Sequence, residues 1–471
     1  MLMAAVVLVS LLIAAVLLYF EPRLARAPKP GAVLPLEPLE FPPGFLWATG
    51  EDAYQHEGGN LNADWSEWEL GSPFEDGSVA GDCADFWRRY EEDFARAAAD
   101  GQNAHRIGLE WSRLEPESGR YDEAAWTRYR AMLESLKAKG LVTFVNLWHF
   151  TLPRWAAASG GWLDDQVFER WEAFAAEAAR RLGDLVDYWS TMIDAQIYVL
   201  RGYFVGDIPP LKKDPELGLR VYARLLDAHA AASRAIKRSG RAPRGISPRV
   251  GQIYFFALFE SAGNPLDSLA CGQMDSIFNR AMLDALVTGT LELSLLGGPR
   301  IRRAEEDWKG SLDWLGVNYY YREIVAFSPR AQGFVRRYPG PSAGRTDLGW
   351  EIYPEGLYRL CVDLAGRYPG LPLMIAENGL ADEADTSRPR FILGHLLYLR
   401  KLLDEGIGIL GYTYWSLTDN LEWTQGFRPK FGLYRVDRST MERSETRSAR
   451  LFRFIATRNR LPSEEELASL D

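Results

Sequence analysis

From residue 41 onward, short apolar runs alternate with long amphipathic stretches. The runs fall at residues 45–50, 103–109, 142–148, 187–194, 250–256, 312–320, 373–379 and 409–417. Between them, stretches such as 123–139, 167–182, 216–238 and 391–405 place apolar residues at helical spacing. Eight strands with intervening helices predict an α/β fold, a parallel (β/α)8 TIM barrel spanning residues 41–471. Chemistry in such barrels gathers at the C-terminal ends of the strands. Here those ends carry Gln55, His149, Asp194, Asn318, Tyr320, Glu377 and Trp415.

The first 40 residues break this pattern. Residues 3–20 are uncharged, with Ser10 the single polar side chain, a length that just crosses a hydrocarbon core as a helix. No basic residue precedes the run, as a cleaved signal peptide would require. A retained single transmembrane anchor over residues 1–20 is therefore predicted. Arg23, Arg26 and Lys29 follow it, which by the positive-inside rule places the barrel in the cytoplasm. Residues 21–40 hold Pro22, Pro28, Pro30, Pro35 and Pro38 and read as a stiff linker.

Composition narrows the function. The 54 basic and 64 acidic residues give a net charge of −10, which argues against a nucleic-acid partner. The Arg300, Arg302, Arg303 group and the Arg336-Arg337 pair read as solvated surface. Cys83, Cys271 and Cys361 are too scattered for a disulfide framework, and neither they nor the five histidines form a metal pattern. No metal and no cofactor is expected. His105 alternates with Arg106 on its strand and points to the opposite face. His229 and His395 sit on helices and read as packing, Trp111 and Trp162 as core, and Glu57 and Glu110 as ion-paired structural acids.

Two acids close buried strands: Glu377, followed by Asn378-Gly379, and Asp194, after Tyr188-Trp189-Ser190-Thr191-Met192-Ile193. Converging carboxylates suit retaining glycoside hydrolysis. Further segments are Phe45-Leu46-Trp47, Ala53-Tyr54-Gln55-His56-Glu57-Gly58, Arg106 with Glu110-Trp111-Ser112-Arg113, and His149-Phe150-Thr151-Leu152-Pro153. Gly316-Val317-Asn318-Tyr319-Tyr320, Trp415-Ser416-Leu417-Thr418-Asp419-Asn420-Leu421-Glu422-Trp423 and Lys430-Phe431-Gly432-Leu433 complete the set. In this order they resemble glycoside hydrolase family 1, the retaining β-glucosidase and β-galactosidase group, over about residues 41–455.

The resemblance implies that Glu377 is the nucleophile, held ionised by Arg106 and Tyr320. It implies that Gln55, His149, Asn318, Glu422 and Trp423 contact the sugar and that Trp415 is its stacking platform. A carboxylate at Glu422 would repel a phosphate, so unphosphorylated β-linked hexosides are the expected substrates.

One segment departs from the family pattern. Where the family reads Thr-x-Asn-Glu-Pro, this chain has Thr191-Met192-Ile193-Asp194-Ala195. Asp for Glu retracts the acid/base carboxyl by roughly 1.5 Å, and Ile for Asn removes an amide that bonds the sugar 2-hydroxyl and the nucleophile. Phe150 also stands where the family has Trp. Three readings stay open. Asp194 acts as acid/base on a shifted backbone, or the enzyme favours good leaving groups or transfers sugar to a lipid or other alcohol acceptor, or the barrel is a catalytically impaired glycan- or glycolipid-binding module. The expected partners are a β-glycoside or glycolipid and, through the N-terminal helix, a membrane.

Overall fold

A computed structural model describes residues 38–470, except 72–73, 246 and 343. Its centre is a closed parallel barrel of eight strands: β1 (Leu46–Glu51), β2 (Ala104–Gly108), β3 (Val142–Asn146), β4 (Tyr188–Ile193), β5 (Arg249–Ser261), β6 (Trp314–Phe327), β7 (Leu373–Asn378) and β8 (Ile409–Tyr414). Each strand pairs with the next, and β8 returns to β1 with Leu46 opposite Gly411 and Thr49 opposite Tyr414. All eight predicted runs are barrel strands, with ends displaced by a few residues.

Closure forces one side-chain face inward. Ala48, Ala104, Phe144, Tyr188, Ile193, Ile253, Trp314, Met374 and Ala376 fill the barrel as one buried cluster. Phe144 stacks on Tyr188 at 4.5 Å between ring centroids, and Trp314 meets Phe144 edge-on at 5.6 Å. Gly251 makes room for that indole, since a Cβ there would lie 2.4 Å from Trp314. This packed plug closes one end, so polar side chains can converge only near the other.

The helices bury their apolar stripes on the outer face. The helix Asp165–Leu182 is capped by Asp164, which accepts from Gln166 and Val167, and buries Val167, Trp171, Phe174 and Ala178. The long helix Pro215–Ser239 starts on capping Asp214 with proline in its first turn, and ends at left-handed Gly240.

Two features lie beyond the predicted pattern. Strands β5 and β6 run to 261 and 327, past their predicted ends at 256 and 320, because they keep pairing above the barrel and Val335–Pro339 adds antiparallel to β6. Thr290–Ser294 and Arg300–Ala304 form a separate hairpin. The predicted membrane span and nearly all of the linker lie outside the described residues. Among the described residues, no helix is long and apolar enough to cross a membrane.

Candidate active site

Glu377, near the end of β7, is held from two sides. Arg106 on β2 donates from Nη2 to Oε1 at 2.5 Å, and Tyr320 on β6 donates its hydroxyl to Oε2 at 2.8 Å. Arg106 is 2 % exposed and needs space on the neighbouring strand. Gly50 on β1 supplies it, since a Cβ there would stand 2.9 Å from Arg106 Nε. Arg106 Nη1 also donates to the Ala376 carbonyl at 3.3 Å, and its guanidinium lies 5.4 Å from the Trp415 ring centre. Charge and two donors thus fix the Glu377 carboxylate.

Asp52 is a buried partner that sequence reasoning passed over. Its Oδ2 accepts from Arg106 Nη2 at 3.1 Å and from His149 Nδ1 at 3.0 Å. Burial opposes its ionisation, but Arg106 and then His149 outweigh that cost and hold its carboxyl down at about 2. Glu377, Arg106, Asp52 and His149 therefore form one continuous chain. The acidic pair Glu51-Asp52, next to Ala53-Tyr54-Gln55, was the available signal.

Asp194 follows β4 with φ 55 and ψ 37, a left-handed conformation that Asp tolerates better than most residues. Its amide donates to the Ile253 carbonyl at 2.9 Å, and its Oδ1 accepts from Asn318 Nδ2 at 3.1 Å. The β4–β5 register shifts between Ser190 and Ile193, so the strand end is irregular where Asp194 leaves it. Burial first, and the charge of Glu377 second, raise the Asp194 carboxyl well above the usual carboxylate range, against the opposing pull of Arg106. Ile193 packs into the barrel plug with Ile253 and Ala376 and does not line the cavity that Asp194 faces.

Gln55, His149, Asp194, Tyr320, Glu377, Trp415, Glu422 and Trp423 line one cavity of about 200 Å³. Gln55 Oε1, His149 Nε2 and Glu422 Oε2 are buried there without protein partners, as acceptors and donors facing a polyhydroxylated ligand would be. Gln55 is anchored through Nε2 to the Leu421 carbonyl at 2.8 Å, which ties the short helix Ala53–His56 after β1 to the loop after β8. Burial and then Glu377 raise the Glu422 carboxyl to about 8, with the Trp415 side chain and Arg201 opposing. Trp423 packs against His149 and Phe150, both at 4.7 Å. Asn318 and Arg106 do not line the cavity; they hydrogen-bond to Asp194 and Glu377, which do.

The same cavity is completed by residues the sequence did not single out, among them Ile197, Leu200, Arg201, Phe255, Tyr321 and Trp350. Arg337, expected on the solvated surface, also lines it because Val335–Pro339 folds back along β6. Arg303 does meet the surface expectation in part, pairing with Asp227 at 2.7 Å and Glu305 at 2.9 Å. Other bland expectations hold. His105 faces outward to Glu51 at 3.1 Å, and Trp111 and Trp162 are buried core. His229 contacts Thr191 at 2.7 Å and His395 contacts the Phe391 carbonyl at 2.8 Å. Glu57 pairs with Arg113 at 3.0 Å, whereas Glu110 has no ion pair among its described contacts and instead accepts from Ser112 and Thr151.

The chain matches the family model described as glycosyl hydrolase family 1 over residues 38–461. It is 31% identical to a β-galactosidase of Pyrococcus woesei over 512 aligned residues, covering 91% of this chain and 99% of the relative. The solved β-glycosidase from Pyrococcus horikoshii superposes with a TM-score of 0.83 at 32% identity, covering 92% of this chain and 98% of that one. The family 1 β-glucosidase from Thermotoga maritima gives 0.82 at 26% identity, covering 90% and 99%. The chain belongs to glycosyl hydrolase family 1 and is an O-glycosyl hydrolase.

Proposed function

We propose that the protein is a retaining β-glycosidase for unphosphorylated β-linked hexosides, with Glu377 as nucleophile and Asp194 as acid/base. The observation that carries this reading is the opposite treatment of two carboxyls in one cavity. Arg106 and Tyr320 grip Glu377 at 2.5 and 2.8 Å, while burial raises the Asp194 carboxyl well above the usual carboxylate range. A carboxyl gripped by a cation and a hydroxyl, beside a second carboxyl that burial disposes to carry a proton, suits two-step glycoside chemistry.

In the first step a Glu377 oxygen attacks the anomeric carbon, and the bond to the leaving oxygen breaks as the Asp194 proton passes to it. In the second, Asp194, now a carboxylate, takes a proton from water or an acceptor alcohol while that oxygen attacks the anomeric carbon and releases Glu377. Gln55, His149, Glu422 and Trp423 bind the sugar hydroxyls, and Trp415 packs against its face. Glu422 disfavours a sugar phosphate whenever it is ionised. Glucosides and galactosides are the first candidates, because the relatives are named β-galactosidase and β-glucosidase.

The uncharged run at residues 3–20 supports tethering to a membrane, with amphipathic glycosides or alcohol acceptors concentrated beside it. Exposure to an activated 2-fluoro-β-glycoside followed by intact-protein mass spectrometry tests the nucleophile, since that reagent needs little help from Asp194. An adduct in wild type and none in Glu377→Gln is expected. Sugar binding with no adduct from gluco, galacto or manno reagents would instead favour a glycan-binding barrel.

A further inference from the structure

We propose that the mouth of the cavity is a subsite for aglycones that join an apolar body to an anionic group, recognised by Arg201 and Arg337. This rests on the glycosidase reading of the same cavity. The chain after Asp194 forms the helix Ala195–Val199 and continues through Leu200–Val205, so Ile197, Leu200 and Arg201 extend the wall that begins with Asp194. A leaving group protonated by Asp194 must pass along that wall. Phe255 on β5, Tyr321 on β6 and Arg337 on the added strand Val335–Pro339 complete the enclosure.

The wall is amphipathic. Phe255 lies 5.5 Å from both Tyr320 and Tyr321, an aromatic surface suited to an aryl or alkyl body. The two guanidinium groups are the cationic side chains lining the cavity. Arg201 donates to Asp207 from Nε at 3.1 Å and Nη2 at 2.8 Å, and to Thr424 Oγ1 at 3.2 Å. Arg337 donates from Nη1 to Glu323 at 2.9 Å. A guanidinium has five N–H donors, so these pairs hold each group in place and still leave donors for a ligand. Their side chains are 30 % and 37 % exposed, which fits a mouth open to solvent. Burial and then Glu323 raise the Tyr321 hydroxyl, Arg337 and Arg201 oppose them, and Asp194 adds to the rise, so these charged groups share one neighbourhood.

Charge sorting then orients the ligand. Glu377 and Glu422 line the inner end, where a neutral sugar is tolerated and an anion is repelled by whichever carboxyl is ionised. The arginines make the outer end the place for a carboxylate, sulfate or phosphate.

Steady-state kcat/KM for 4-carboxyphenyl β-glycosides against their neutral methyl esters, in gluco and galacto forms at low salt, tests this. Wild type should favour the acid by about tenfold, with the preference shrinking as salt rises. In Arg201→Gln and in Arg337→Gln the acid-to-ester ratio should fall several-fold, and in the double variant it should approach one. Having two single variants guards against either one failing to fold. A wild-type ratio at or below one, or a ratio unmoved in both single variants, overturns the proposal. If no glycoside turns over, the glycosidase reading has failed. The same acid-to-ester ratio, read as Kd for the non-hydrolysable 1-thio analogues by calorimetry, still decides the subsite: a preference for the acid that both variants weaken supports it, and equal or absent binding refutes it.

Discussion

Replacing Asp52 by Asn keeps the shape of the buried pivot and removes its charge. Asp52 Oδ2 now accepts from Arg106 at 3.1 Å and from His149 at 3.0 Å. An amide oxygen can still accept both bonds, but without charge assistance, and its NH2 takes the place of Oδ1, which has no hydrogen-bond partner among the described residues. The loss is about one hydrogen bond to a charged group, roughly 1.5–3 kcal/mol. A second route gives the same scale: a carboxyl lowered from 3.8 to about 2 reflects about 2 kcal/mol of preference for the charged form in the fold. Because the folded value is depressed, that stabilisation is complete above about pH 4 and is lost as the pH falls toward 2. At pH 7, therefore, Asp52→Asn should lower unfolding free energy by about 2 kcal/mol in urea titrations, and the deficit should shrink below pH 4. Misplaced Arg106 and His149 should also lower kcat/KM for an aryl β-glycoside by about 10–100-fold. Asp52→Glu, which restores the charge, should recover more activity than Asp52→Ala. An Asn variant with kcat/KM within twofold of wild type, or a stability deficit that persists unchanged at pH 3, would refute the reasoning.

Tyr320→Phe removes the 2.8 Å donor to Glu377 Oε2 and should cost about 1.5–3 kcal/mol of transition-state stabilisation, seen as a 10–150-fold fall in kcat/KM. Asp194→Asn should cost about 10²–10⁴-fold with alkyl glycosides, far less with dinitrophenyl glycosides, and should abolish the basic limb of the kcat/KM profile, because burial raises the Asp194 carboxyl well above the usual range. Glu422, raised from 4.5 to about 8, favours folding most when protonated, and that contribution declines as the pH rises from about 4.5 through 8. Glu422→Gln should therefore gain Tm relative to wild type at pH 8 while losing sugar affinity; a Tm difference independent of pH would contradict the burial argument. Gly50→Ala should displace Arg106, given the 2.9 Å approach to its Nε, and should lower labelling of Glu377 by a 2-fluoroglycoside.

Much of this was readable along the chain because strand burial and helix amphipathicity are local, periodic properties. The eight barrel runs and the strand-end residues Glu377, Tyr320, His149 and Trp415 follow from that periodicity and from ordered motifs. The pairing of Arg106 with Glu377 was also accessible, since both stand in motifs that imply a role. What tertiary structure decided are contacts between segments far apart in sequence. Asp52 became a pivot only when β2 and β3 brought Arg106 and His149 to it. Arg337 is on the surface as its sequence suggests, and only the folding of Val335–Pro339 back on β6 places that surface at the cavity mouth. Asn318 reads as a sugar contact in its motif, yet the fold hydrogen-bonds it to Asp194. Ile193 reads as a lost amide, and the fold buries its side chain in the barrel plug. A sequence states which groups are available at each strand end; only closure of the barrel sets their distances, and distance decides charge state and chemistry.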